Sequence, residues 1–443
     1  MRARATPAFS RALTLAGPLV LAVAVVIAML VLTSSAAAPQ QEQEASVPAD
    51  DQRVRKGFRT TLPLIVIETP RPIVDRPKVT ARMRVIDNGR GELNYASDRG
   101  TDYDGPIGIE IRGQWSQRSP KKQFGLETRK ASGKNESVSL LGLPKENDWV
   151  LHSSGTDSSL MRNGLAYWTA RRLGWYASRT RFVELVLNGR YWGVYVLTEK
   201  PKLDRNRVVV NDDDVSGGYL LESSWNNKLE PEDSFFRAPI TRKPIVFYDP
   251  ERKDLSDRRA AWISDYVNRF ERALYADRFR DPGRGYRAYL DLRAAVDYTL
   301  INEFFKNEDA FKASTFLHKS RGGKLVLGLV WDFDVSMENP AFGRSAPSGW
   351  LLASRPWAER LYQDPSFAKL MILRWKKLRR QGLLEGLLRL VDANARQLRQ
   401  AQARNAKRWP ATKSHRLAVA QLKSWLTRRA AWIDANADSL RPR

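Results

Sequence analysis

The apolar pattern of this 443-residue chain changes period once, near residue 250, and no other feature restricts the fold as much. Before that point, apolar runs of strand length follow one another at 64–69, 78–86, 108–112, 123–128, 182–187, 191–198 and 218–222. Asn188-Gly189, between the fifth and sixth runs, predicts a type I′ hairpin, because both turn positions need positive φ. One helix is expected inside this half. It is capped by Asp157-Ser158, carries Leu160, Met161, Leu165, Trp168 and Leu173 along one side, and ends at Gly174.

Beyond the change, Ile263, Val267, Phe270 and Leu274 recur at helical spacing, and 292–305 is apolar nearly all round, as in a centrally buried helix. Segments 315–319 and 324–330 meet at Arg321-Gly322-Gly323 and predict a second hairpin, and from Trp357 onward the chain reads as helix. A β-rich half followed by a helix-rich half predicts an α+β, two-lobed architecture with a cleft between the lobes.

At the N-terminus, Arg2, Arg4 and Arg11 precede residues 12–32, which are uncharged and, at helical rise, long enough to cover about 30 Å of bilayer. The run is longer than an ordinary signal-peptide core, which favours an uncleaved anchor, although the small residues of 33–38 also suit a cleavage site. Either way the expectation is an extracytoplasmic body, membrane-anchored or secreted. The domains expected are a signal peptide or membrane anchor at 1–38, a Gln/Glu/Pro-rich linker at 39–58, a main domain at 59–350 and a basic helical C-terminal extension of its C-terminal lobe at 351–443.

The chain has no cysteine, so thiol nucleophiles, disulfides and cysteine-ligated metal are excluded. His152, His318 and His415 are too far apart for a histidine metal motif, and no G-x-S-x-G elbow is present. Carboxylate, hydroxyl and Lys/Arg chemistry remains. Of the +25 net charge, +15 falls in 351–443, where 21 basic residues face 6 acidic ones. Such a tail suits an anionic lipid or cell-surface polymer; nucleic acid is an unlikely partner, since no nucleic-acid-binding motif accompanies the charge.

The acids in Trp331-Asp332-Phe333-Asp334 follow an apolar run, so a strand ending there presents Asp332 and Asp334 near one sheet edge, suited to Mg²⁺ with phosphate oxygens. Asp309 lies 23 residues earlier, just past a hydrophobic helix, with Ser314 five residues on. That is the order in which phosphoryl transfer uses one carboxylate to orient a hydroxyl and a second to hold the metal. Asp309 to Ser314 also repeats the Asp-to-Asn spacing of a protein-kinase catalytic loop, with a hydroxyl in place of the amide. Upstream, Ile111-Arg112-Gly113 leads through a turn of small residues to Lys121 and Lys122, either of which suits a phosphate.

Together these stretches resemble the CotH family of spore-coat, kinase-like proteins. The resemblance rests on Ile111-Arg112-Gly113 with Pro120-Lys121-Lys122, on Ser159 to Asn163, and on Glu184-Leu185 through Asn188-Gly189 to Tyr195 and Thr198-Glu199. It continues through Asn206-Arg207, Gly217 to Glu222, Ile301-Asn302-Glu303, Asn307 with Asp309, and Gly322-Gly323-Lys324 into Trp331 to Asp334. It implies an atypical protein-kinase-like fold that uses ATP with Mg²⁺ (or Mn²⁺ or Ca²⁺) to phosphorylate Ser/Thr of a protein substrate.

Carried over, Asp309 resembles the catalytic acid, and Asp332, with Asp334 and Ser314, the metal site. Lys121 or Lys122 resembles the phosphate-contacting lysine, near the Gly113 turn. Glu199 falls where the adenine pocket would lie, and Arg162 is placed to orient a carboxylate or phosphate. The helix at 158–173 has no Glu to pair with a lysine, and Trp115 adds bulk to the turn. A pseudokinase or surface scaffold, and a kinase fold transferring AMP or glutamate, therefore remain alternatives.

Overall fold

The computed structural model describes residues 53–54, 57–212, 215–339 and 345–440. The expected membrane segment at 12–32 lies outside these; among the described residues no helix is long and apolar enough to cross a membrane.

Seven strands form the first half: β1 (Leu64–Glu68), β2 (Val79–Ile86), β3 (Tyr103–Arg112), β4 (Gln123–Thr128), β5 (Asp148–His152), β6 (Thr180–Leu187) and β7 (Arg190–Glu199). They close into a barrel in the order β6-β7-β5-β4-β3-β2-β1, where the closing β6–β1 pair is parallel and every other pair antiparallel. Alternation places one face of each strand in the interior. Ile65, Ile67, Met83, Val85, Ile107, Phe124, Trp149, Leu185 and Tyr195 fill the interior. Leu64 and Val66 point outward instead, and with Ile86 and Val186 they bury a second, outer cluster. The expected hairpin is present, with Asn188 at φ 48° and Gly189 at φ 71°.

The helix between β5 and β6, α1 (Arg162–Arg172), starts four residues later than its spacing suggests. Asp157 stays outside it and caps at a distance, accepting from the backbone N–H groups of Ser159, Met161 and Arg162. Gly174, at φ 91°, follows its C-terminus.

The second half is built on an antiparallel sheet of β8 (Tyr219–Ser223), β9 (Phe235–Arg237), β10 (Pro244–Asp249), β11 (Thr315–Lys319) and β12 (Leu325–Leu327), in the order β9-β10-β8-β11-β12. Around it lie α2 (Asp257–Tyr275), α3 (Leu292–Phe305), α4 (Ala358–Tyr362), α5 (Pro365–Arg380), α6 (Leu383–Leu398), α7 (Ala401–Arg408) and α8 (His415–Asn436). Ser256 caps α2 and Asp291 caps α3. As its composition predicts, α3 is buried on almost every side.

One expectation needs correction. The hairpin strand β12 ends at Leu327, so Asp332 and Asp334 lie on an irregular segment and not at a strand end. The C-terminal helices pack into the same core as α3, with Trp357, Trp375, Trp425 and Leu426 buried beside Phe304 and Phe305. The residues from 50 onward form one compact unit. Part of the tail's charge is paired within the fold. Arg429 meets Glu303 with both side chains fully buried, and Arg404 of α7 reaches 220 residues back to Glu184 in the barrel.

Candidate active site

Asp309 is positioned by how α3 ends. Lys306 takes a left-handed conformation (φ 48°) and turns the chain out of the helix. Asn307 then accepts the Asp309 N–H, and the Asp309 carbonyl accepts from Lys312 and Ala313. The loop re-enters the sheet at Ser314, directly before β11. Asp332 arrives from the other arm of the hairpin, past β12, with φ 60°.

Lys228, from the short 3-10 turn Asn226–Lys228 that follows β8, sits between the two acids. Its ammonium donates to Asp309 Oδ2 at 2.8 Å and lies 3.7 Å from Asp332 Oδ2. Ser314 Oγ donates to Asp332 Oδ2 at 3.4 Å. Burial and the Asp332 charge push the Asp309 carboxyl above its usual range, against the pull of Lys228. Burial pulls Lys228 down, but Asp332 and Asp309 outweigh it and hold the ammonium above its ordinary value.

Glu222 of β8 completes the cluster. Burial, with the charges of Asp233 and Asp332, pushes its carboxyl up to about 7 despite Lys228 and Arg112. The Arg112 guanidinium, at the end of β3, lies 5.9 Å from the Trp331 ring centroid. Its charge reaches Glu222, and no carboxylate among the described residues pairs with it.

Asp334 points elsewhere. Its Oδ2 lies 2.8 Å from His152 Nε2 at the end of β5, and its Oδ1 accepts from Asn163 Nδ2 at 3.1 Å. Asn163 in turn accepts the Phe333 N–H at 2.7 Å, so one amide fixes both the backbone and the second carboxylate of the Trp331–Asp334 segment. Asp334 thus orients the segment that presents Asp332. A cavity of about 250 Å³ adjoins this segment, lined by His152, Asn163, Tyr167, Trp168, Thr198 and Trp331. Trp331 stacks on Tyr167 with ring centroids 5.8 Å apart.

Of the residues singled out in the sequence, Asp309, Ser314 and Asp332 come together. Neither lysine has an acid of this cluster among its polar contacts. Lys121 is buried, donates to Val194 O at 2.6 Å and to Asn405 Oδ1 at 2.9 Å, and its ammonium is pushed down to about 7 by burial. Lys122 donates to Gln117 O. Gly113 holds φ 84° in a turn that winds into the 3-10 segment Trp115–Arg118, with Ser116 Oγ where a Cβ would project.

Glu199 is fully buried and bound by Arg179 at 3.0 Å, by the Arg179 N–H and by the Tyr176 hydroxyl. Arg162 pairs with Asp157 and donates to the carbonyls of Ser336 and Met337, just past the Asp332 segment. It therefore orients protein groups at this point in the chain.

Sequence reasoning missed Lys228, Glu222, His152 and the role of Asn163. Glu222 and Asn163 stood inside quoted motifs, and polar residues at the ends of apolar strands were the available signal. Lys228 lies in a stretch without periodicity and carried none.

The CotH kinase protein family model matches residues 109–433. That is most of the chain, running from β3 through the acid cluster to α8, so this protein belongs to the CotH kinase family and is kinase-like. No curated protein matches it.

Proposed function

We propose that this protein is an ATP- and divalent-metal-dependent kinase that transfers phosphate to Ser/Thr of a protein substrate at or outside the membrane. The observation that carries the reading is the meeting of Asp309 and Asp332, from the two ends of one hairpin, on a single lysine ammonium whose charge also reaches Glu222.

The donor set fits Mg²⁺. The Asp332 carboxylate and the Ser314 hydroxyl would be its hard oxygen ligands, and among the described residues no three His, Asp or Glu side chains gather closely enough to hold a cation alone. A metal here therefore needs phosphate oxygens as partners, as Mg²⁺ prefers. When bound, it neutralises charge on the transferring phosphate.

The protein's own groups do the rest. Asp309 accepts the proton of the acceptor hydroxyl as its oxygen attacks the γ-phosphorus and the bond to the ADP oxygen breaks. Its upward-shifted carboxyl makes it a stronger base than an exposed aspartate. Lys228 and Arg112 supply the positive charge that sequence reasoning assigned to Lys121 or Lys122. Asp332, held by Ser314, supplies the metal-binding carboxylate, and the aromatic wall of Trp331 and Tyr167 suits a nucleobase.

The commitment of Lys121 to Val194 and Asn405 favours, as a second reading, a kinase fold that has changed its transferred group or lost transfer. Calorimetric titration of ATP with Mg²⁺, Mn²⁺ or chelator tests the proposal. Binding should need metal and disappear in Asp332→Asn, while Asp309→Asn should bind but not transfer. Absence of metal-dependent binding in the native protein overturns it, and intact-mass analysis of substrate separates phosphate from AMP or glutamate.

A further inference from the structure

Helix α5 contains six basic residues and no acidic one, and these divide sharply between its two faces. The inward ones are paired: Arg374 with Asp297 at 2.6 Å and Arg379 with Asp434 at 3.1 Å. Lys369, Lys376, Lys377 and Arg380 are exposed, and none has an acidic partner among the described residues. The same face carries Leu370 and Leu373, which are 38% and 53% exposed, large values for leucines of an otherwise well-packed helix. At about 100° per residue all six side chains fall within roughly 120° of arc, with Leu373 near its centre and the cations around it.

A solvated face has no use for leucines at its centre, and a protein partner of ordinary composition would bring acids and bases together. Unpaired cations flanking protruding leucines are complementary to a surface that is anionic outside and apolar just beneath. Lysine stems can then lie along the apolar layer while their ammonium groups stay among the headgroups. We propose that the outer face of α5 docks on an anionic lipid bilayer and so sets how the kinase-like body lies at the membrane. The order of the chain agrees: a body tethered through residues 12–32 is separated from that segment by about twenty residues, a reach of at most about 70 Å. The charged face carries the proposal whether or not the leader is retained.

The test uses the full chain reconstituted in vesicles of neutral lipid or of neutral lipid mixed with phosphatidylglycerol, with a water-soluble amine-acetylating reagent read residue by residue by mass spectrometry. Lys369, Lys376 and Lys377 should be acetylated several-fold more slowly on the anionic vesicles, with recovery at high salt, while exposed Lys134 is unaffected. Replacing the four cations by Gln should weaken association by about fivefold per charge. Leu370→Ser/Leu373→Ser should weaken it too while leaving the charges in place. Thermal melting checks that both variants stay folded. Equal acetylation on the two vesicle types overturns the proposal. So does protection by a soluble polyanion that matches that of the vesicles and is indifferent to the leucine replacements, since that assigns the face to a charged polymer.

Discussion

The ion pair of Arg429 on α8 with Glu303 on α3 gives a sharp test of how the C-terminal helices support the site. Both side chains are fully buried. The Arg429 guanidinium donates to Glu303 Oε1 at 2.8 Å, to the Glu303 carbonyl at 2.9 Å, and to the carbonyls of Pro347 and Gly349. Glu303 also accepts from the N–H groups of Leu351 and Leu352 and from the Tyr362 hydroxyl. Arg429→Met keeps the volume but leaves a buried carboxylate without its cation, a loss of about 3–5 kcal/mol. For a unit of about 390 residues the unfolding entropy is about 0.8 kcal/mol/K, so the melting temperature should fall by about 4–6 °C.

Adding Glu303→Gln should recover part of that loss, because the stranded charge goes with it. Scanning calorimetry measures both variants. The result that refutes the reasoning is a single variant melting within about 1 °C of the native protein, which would mean that the pair carries no net stabilisation. Because Glu303 lies six residues before Asp309, at the end of the helix that delivers it, Arg429→Met should also weaken nucleotide-dependent stabilisation.

Two further predictions concern the acid cluster. Lys228→Met removes the cation shared by Asp309 and Asp332, so ATP with Mg²⁺ should raise the melting temperature of the variant less than that of the native protein, while the ligand-free variant is less stable by about 1–3 kcal/mol. Equal responses would show that Lys228 supplies no charge to the phosphates. For Glu222, the folded carboxyl titrates at about 7, above its ordinary range, so the folded state holds a proton that the unfolded state has already lost. Stability from this group is thus complete at low pH and declines as pH rises through about 7. Glu222→Gln should therefore melt higher than the native protein at about pH 8 and the same at about pH 5, and parallel curves at both would contradict the assignment.

Local pattern went a long way here. Strand and helix periods, the Asn188-Gly189 turn, the buried α3 and the pairing of Asp309 with Asp332 were all legible, because each depends on residues close together in the chain or on a family motif. The strand expected over 324–330 ended early, since the apolar run that predicted it continues past the last ladder bond. The barrel was not legible: seven strands of alternating residues are compatible with an open sheet, and closure depends on the parallel pairing of Glu184 to Leu187 with Leu64 to Ile67.

The roles of the lysines show the same divide. Lys121 looks like any lysine beside an apolar strand, and only the arrival of Asn405, 284 residues later, turns it inward. The amino-acid sequence by itself determined which segments are strand or helix and which acids are candidates for the site, because backbone preference and side-chain type are local properties. Tertiary structure alone decided which cation meets those acids, which carboxylate orients the other, and that the apolar side of the basic tail joins the core around α3. Those outcomes follow from burial, and burial is settled by contacts between residues hundreds of positions apart.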